Sequence, residues 1–189
     1  MPLYEGRLGA QMGVDKHGTV DLAIAWWLAA RSPRSLVYLP LKGSAVDCGA
    51  EYGGRKLDLV LLHHSLGFRV SRWKEVRGRL GAGRVQKVTM PADPFPEQEL
   101  EAARTRWHRD FKDRLRWAIA ADTLFLVGSR SAFEFEGEQL RALVEDCPSH
   151  LAEQPDAHCC AEIELGRFNS TDRRNSWSQL HVECCNRHW

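Results

Sequence analysis

The stretch LDLVLLHH, Leu57 to His64, constrains this chain more than any other part of it. Five of its eight residues are Leu or Val, and Leu59 to Leu62 form an unbroken apolar run. Such a run is too short for a typical helix. As a strand it presents apolar side chains on both faces, so both faces must be covered. SLVYLPL (35–41) and DTLFLVGS (122–129) have the same character.

Helical patterns fall between these runs. DKHGTVDLAIAWWLAA (15–30) carries Val20, Ile24, Trp27 and Leu28 at helical spacing, with Thr19 placed to cap it. SRWKEVRGRLG (71–81) reads as a short helix and RVQKVTM (84–90) as a strand. PEQELEAARTRWHRDFKDRLRWAIAA (96–121) repeats Leu100, Ala103, Trp107, Phe111, Leu115 and Ala118 at three- and four-residue steps, which predicts one long helix. EFEGEQLRALVED (134–146) reads as a helix. CCAEIELG (159–166) and SQLHVECC (178–185) read as two final strands.

Strands alternating with helices predict an α/β fold. The expectation is a single three-layer domain over residues 1–189, with a mostly parallel sheet, helices on both faces and an antiparallel C-terminal strand pair. Residues 147–189 form its Cys/His-rich C-terminal part.

No apolar run approaches the roughly 18 residues of a membrane span, and MPLYEGRLGA lacks the basic and apolar regions of a secretory signal. A cytoplasmic protein with no membrane partner is expected, its six cysteines serving as thiols or metal ligands. The net charge of +1 hides an asymmetry: thirteen Lys/Arg against seven Asp/Glu over residues 69–116, and two against nine over 130–164. The basic stretch allows weak, non-specific nucleic-acid binding with Trp73 or Trp107 stacking on bases. The opposite charges equally allow pairing between subunits, as a homo-oligomer or within a protein complex.

In open α/β sheets ligands gather beyond the carboxyl ends of the strands. The segments after the apolar runs are KGS (Lys42, Ser44), HHS (His63, His64, Ser65), PAD (Asp93) and GSRS (Ser129, Arg130, Ser131). Hydroxyls and small residues before a helix offer N–H groups to an anion. Lys42, Ser44, Ser65, Arg130 and Ser131 are therefore candidate ligand contacts for a small anionic or nucleotide-like molecule. His63 or His64 suits a general base, Ser129 a nucleophile and Asp93 an orienting carboxylate. These residues point to a hydrolase or transferase acting on a phosphorylated ligand. A non-catalytic sensor or interaction subunit is the alternative. No GxGxxG, Walker A or GxSxG sequence occurs.

The last 43 residues hold five of the six cysteines and four of the eight histidines. Cys147, His150, His158, Cys159, Cys184, Cys185 and His188 are candidate ligands of a structural zinc, partly because two-residue spacing lets two side chains reach one ion. Buried core thiols, a catalytic thiol at Cys160 or Cys185 paired with a histidine, and a disulfide between paired strands remain open readings. In a strand, Cys184 and Cys185 must point to opposite faces.

Overall fold

A computed structural model describes residues 1–7, 9–46, 48, 53–95, 112–167 and 178–185. They form two mixed sheets, which overturns the expected single, mostly parallel one. The first sheet has the order β1-β2-β9-β7, built from β1 (Leu3–Glu5), β2 (Gly9–Val14), β9 (Gln179–Cys184) and β7 (Cys160–Glu164). The second has the order β3-β4-β6-β5-β8: β3 (Leu36–Leu39), β4 (Asp58–His63), β6 (Thr123–Gly128), β5 (Arg116–Ala120) and β8 (Gly166–Arg167). β2 runs parallel to β9 and β4 parallel to β6, and β5 also pairs in parallel with the two-residue β8. The remaining neighbours are antiparallel.

The helices are α1 (Lys16–Arg31), α2 (Trp73–Gly78), α3 (Arg130–Glu145) and α4 (Cys147–Glu153), with 3-10 turns at His64–Leu66 and Val70–Arg72. α1 is capped by Asp15, whose carboxylate accepts from the Gly18 N–H at 2.7 Å. Thr19 lies inside the helix and donates its hydroxyl to the Asp15 carbonyl. α1 and α3 pack on each other and touch both sheets. One continuous apolar core therefore joins Leu3, Met12, Leu180 and Val182 of the first sheet to Leu59, Leu61, Leu124 and Leu126 of the second. At its centre the buried Trp26 donates its indole N–H to the Phe133 carbonyl at 2.8 Å and meets the Phe133 ring edge-on.

The two sheets are covered differently. β4 and β6 are buried on both faces. Their outer face holds a second cluster, Val60, Leu62, Phe125 and Val127 around the fully buried Trp73. Trp73 donates to the Thr123 hydroxyl at 2.8 Å, so it cannot stack on a nucleic-acid base. β9 alternates buried and half-buried residues, and β7 alternates buried with more exposed ones, so the first sheet turns its other face outward. The outer edge of β7 is covered by α3. Gln139 bonds both the N–H and the carbonyl of Glu162, and Glu136 accepts from the Glu164 N–H. Unpaired strand-edge groups are thereby satisfied without a further strand.

Three element readings change. Arg116–Ala120, the end of the expected long helix, is strand β5, joined to β6 by a tight turn in which Ala121 and Asp122 both have positive φ. Residues 112–115 of that expected helix are irregular, and 96–111, Trp107 among them, lie outside the described residues. RVQKVTM is irregular and exposed except at Met90. Strands β1 and β2 were not anticipated: LYE is short, and GAQMGV is glycine-flanked with weak strand propensity.

Gly137 of α3 shows how closely the chain approaches the helix here. An added Cβ would lie 2.4 Å from a ring carbon of Phe95, which is 1 % exposed. Gly→Ala in a helix ordinarily stabilises by about 1 kcal/mol. Overpacking here outweighs that gain, and Gly137→Ala is expected to destabilise the protein by about 1–2 kcal/mol, read from the midpoint of urea unfolding. An unchanged or raised midpoint contradicts this packing.

Candidate metal centre

The outward face of the first sheet is set by strand register. Antiparallel pairing places Cys160 opposite Glu183 and Glu162 opposite His181. These four positions share a face because side chains alternate along each strand. His158, two residues before Cys160, joins them. Ligand atoms of His158, Cys160 and His181 all lie within 4.8 Å of one another. Among the described residues this is the one group of three such side chains so close together.

Carboxylates orient both rings. The Nδ1 atom of His181 lies 2.5 Å from Oε1 of Glu162, and its Nε2 lies 3.6 Å from Glu183. His158 Nδ1 is 3.3 Å from the other Glu183 oxygen. The two imidazoles stack at 5.4 Å with planes 15° apart. His181 is largely covered, with 15 % of its side chain exposed, whereas His158 is open at 57 %. Burial, the Glu162 charge and neighbouring Cys159 raise the Cys160 pKa, so this thiol is not an activated thiolate by itself.

The adjacent cysteines divide as strand geometry demands. Cys159 and Cys184 meet the buried Cys147 of α4 on the core side, where their thiols hydrogen-bond. Burial pushes Cys147 up and Cys184 up to about 11. These are protonated core thiols at neutral pH. Cys185 instead bonds Cys48, whose pKa burial pushes up to about 12. No disulfide is present among the described residues.

Of the seven expected zinc ligands, His158 belongs to the cluster. Cys147, Cys159 and Cys184 lie on the core side, Cys185 lies with Cys48, His150 is exposed on α4, and His188 lies outside the described residues. Cys160 and His181 were not among the expected metal ligands. The signal for them is an i, i+2 spacing, His158-x-Cys160-x-Glu162 and His181-x-Glu183, which puts side chains on one face of an extended chain.

The residues expected to form an anion site divide between two edges of the second sheet. His63 sits beside Gly128 in register, so HHS and GSRS share an edge. Lys42 and Ser44 lie at the opposite edge, because β3 runs antiparallel to β4. There the Lys42 backbone N–H donates to Asp58, and its ammonium pairs with Asp122 at 2.7 Å. Asp93 lies 3.9 Å from Arg141 along α3, away from both histidines. Ser129 caps α3: its hydroxyl accepts from the Ala132 N–H and donates to Asp113 at 2.8 Å. Arg130 pairs with Glu134, and Ser131 is exposed beside it. His63 caps the following turn by accepting the Ser65 N–H on Nδ1. Ser65 donates to the Pro33 carbonyl. His64 is exposed, its ring 4.7 Å from that of His63.

Burial and the neighbouring His64 charge lower the His63 pKa, against a smaller opposing pull from Asp113. The unfolded chain therefore binds the proton more readily than the folded one. Stability is expected to fall as pH drops through about 6.5, the ordinary histidine value, because unfolding then takes up a proton. His63→Gln should flatten the urea midpoint against pH between about 7.5 and 5.5; an unchanged profile contradicts this role.

No protein-family model matches the chain, and no curated protein or solved structure shows significant similarity to it.

Proposed function

We propose that this chain is a zinc-binding protein whose ion is held on the outward face of the first sheet by His158, Cys160 and His181. The observation that carries this reading is the mutual approach of those three ligand atoms within 4.8 Å. Two imidazoles and a thiolate are donors that zinc accepts in tetrahedral geometry. Glu183 approaches both rings and supplies a fourth donor. Glu162 on Nδ1 of His181 directs Nε2 toward the ion, the arrangement in which a carboxylate orients a metal-bound histidine. Binding displaces the Cys160 proton, since the thiolate is the ligand.

An ion there would tie β7 and the preceding segment to β9. Zinc would act as a clip on the C-terminal Cys/His-rich part, in a site open to solvent on the His158 side. This reading places function on the first sheet instead of on a Ser129–His63 active site, because both of those side chains are occupied as caps.

Protein purified without added metal is expected to contain about one zinc per chain, since structural sites bind with apparent free energies of about 10–16 kcal/mol. Elemental analysis of Cys160→Ser and His181→Ala should show the metal lost, while Cys159→Ser, altering a core thiol, keeps it. Cobalt substitution adds a second readout: a thiolate-to-cobalt charge-transfer band present in the parent and Cys159→Ser proteins and absent in Cys160→Ser. Metal below about 0.2 equivalents in the parent protein, or retained in Cys160→Ser, would falsify the assignment.

A further inference from the structure

The second sheet carries a separate cavity at the edge where β4 ends. It has a volume of about 580 Å³, within the range of small-molecule sites. Arg34, Arg69 and Arg72 line it, together with Leu36, Phe68 and Val76. The apolar part is anchored: Leu36, Phe68 and Val76 pack onto the cluster around Trp73, and the Phe68 ring lies against those of Trp73 and Phe125. The turn delivering Phe68 depends on Gly67, which has φ +60° and donates its N–H to the His64 carbonyl.

The charges are unbalanced. No acidic residue among the described ones lines the cavity. Arg72 pairs with Glu75 at 2.9 Å, an exposed contact of little strength. Neither the Arg34 nor the Arg69 guanidinium has an acidic partner among the described residues, and both are exposed. Guanidinium groups match phosphate oxygens in a bidentate fork. An apolar wall beside them accepts the flat body of the same molecule.

We infer that this cavity binds a phosphate monoester carried on a flat, largely apolar body, with Arg34 and Arg69 gripping the phosphate and Phe68 flanking the body. Mononucleotides and simple aryl phosphates both have this chemistry. The site is independent of the metal centre, on a different sheet and with different residues.

The test is calorimetric titration of the full chain as purified; a monoester held by the metal instead of the cavity would bind the arginine variants below unchanged. The probes are adenosine monophosphate, 4-methylumbelliferyl phosphate, adenosine and inorganic phosphate. At least one monoester is expected to bind roughly tenfold or more tightly than either adenosine or inorganic phosphate, the size expected of one charged hydrogen-bonding group. Which monoester binds more tightly separates nucleotide from aryl-phosphate chemistry. The double variant R34Q/R69Q should weaken that binding at least about tenfold while its circular dichroism stays unchanged, because both side chains are exposed. R84Q, which removes an exposed arginine outside the cavity, should leave it unaltered. The inference is overturned by absence of monoester binding up to about 1 mM. It is also overturned by inorganic phosphate binding as tightly as the monoesters, or by R84Q weakening binding as much as R34Q/R69Q.

Discussion

The contact between Trp26 and Phe133 is the joint on which the fold depends. It lies 107 residues apart in sequence and ties α1 to α3 through a buried hydrogen bond and an edge-on ring contact. Both sheets then pack on this helix pair. Truncating such an aromatic side chain in a core costs about 3–5 kcal/mol, a large share of the 5–15 kcal/mol that keeps a typical domain folded. Neither sheet buries its apolar face without the helices, so the candidate metal centre and the arginine-lined cavity both depend indirectly on this joint.

Mixed pairing decides which residues meet. A parallel sheet would bring the segment after every strand to one edge. Here β4 and β6 are parallel, so His63 and Ser129 do become neighbours. β3 is antiparallel to β4, which sends Lys42 to the other end of the sheet, where it satisfies the Asp58 and Asp122 carboxylates. The same reversal brings Arg34, which precedes β3, to the edge where β4 ends, and there it lines the same cavity as Arg69. The arginines lining the cavity thus come both from the segment before β3, Arg34, and from the segment after β4, Arg69 and Arg72.

Much of this was legible. LDLVLLHH and DTLFLVGS are buried on both faces because they have no polar alternation. α3 and the strands β7 and β9 form where their patterns place them. α1 forms as well, but its buried face is Leu22, Ala23, Trp26, Ala29 and Ala30 instead of the stripe Val20, Ile24, Trp27 and Leu28, of which Val20 is exposed. What could not be read was non-local. RWAIA continues a helical pattern without a break, and its pairing with β6 is a tertiary gain that outweighs local propensity. Cys160 and His181 are 21 positions apart, and only the β7–β9 register brings them to one face. A one-residue slip in that pairing would exchange the inward and outward sets.

That register also explains why the chain uses vicinal cysteines in two places. Each pair straddles the sheet. Cys159 and Cys184 face the helices and hydrogen-bond with Cys147, and burial keeps Cys147 and Cys184 protonated and inert. Cys160 faces the two imidazoles and two carboxylates of the outward side, and Cys185 turns to Cys48. A thiol among polar donors ionises when a cation arrives, whereas a thiol in an apolar core does not. The sheet separates adjacent, chemically identical residues into packing groups and candidate ligands. The carboxylates then mark which face is which, because Glu162 and Glu183 accompany only the outward set. Edge-strand β7 is held in this register by Gln139 and Glu136 of α3, so the helix that closes the core also fixes the spacing of the candidate metal centre.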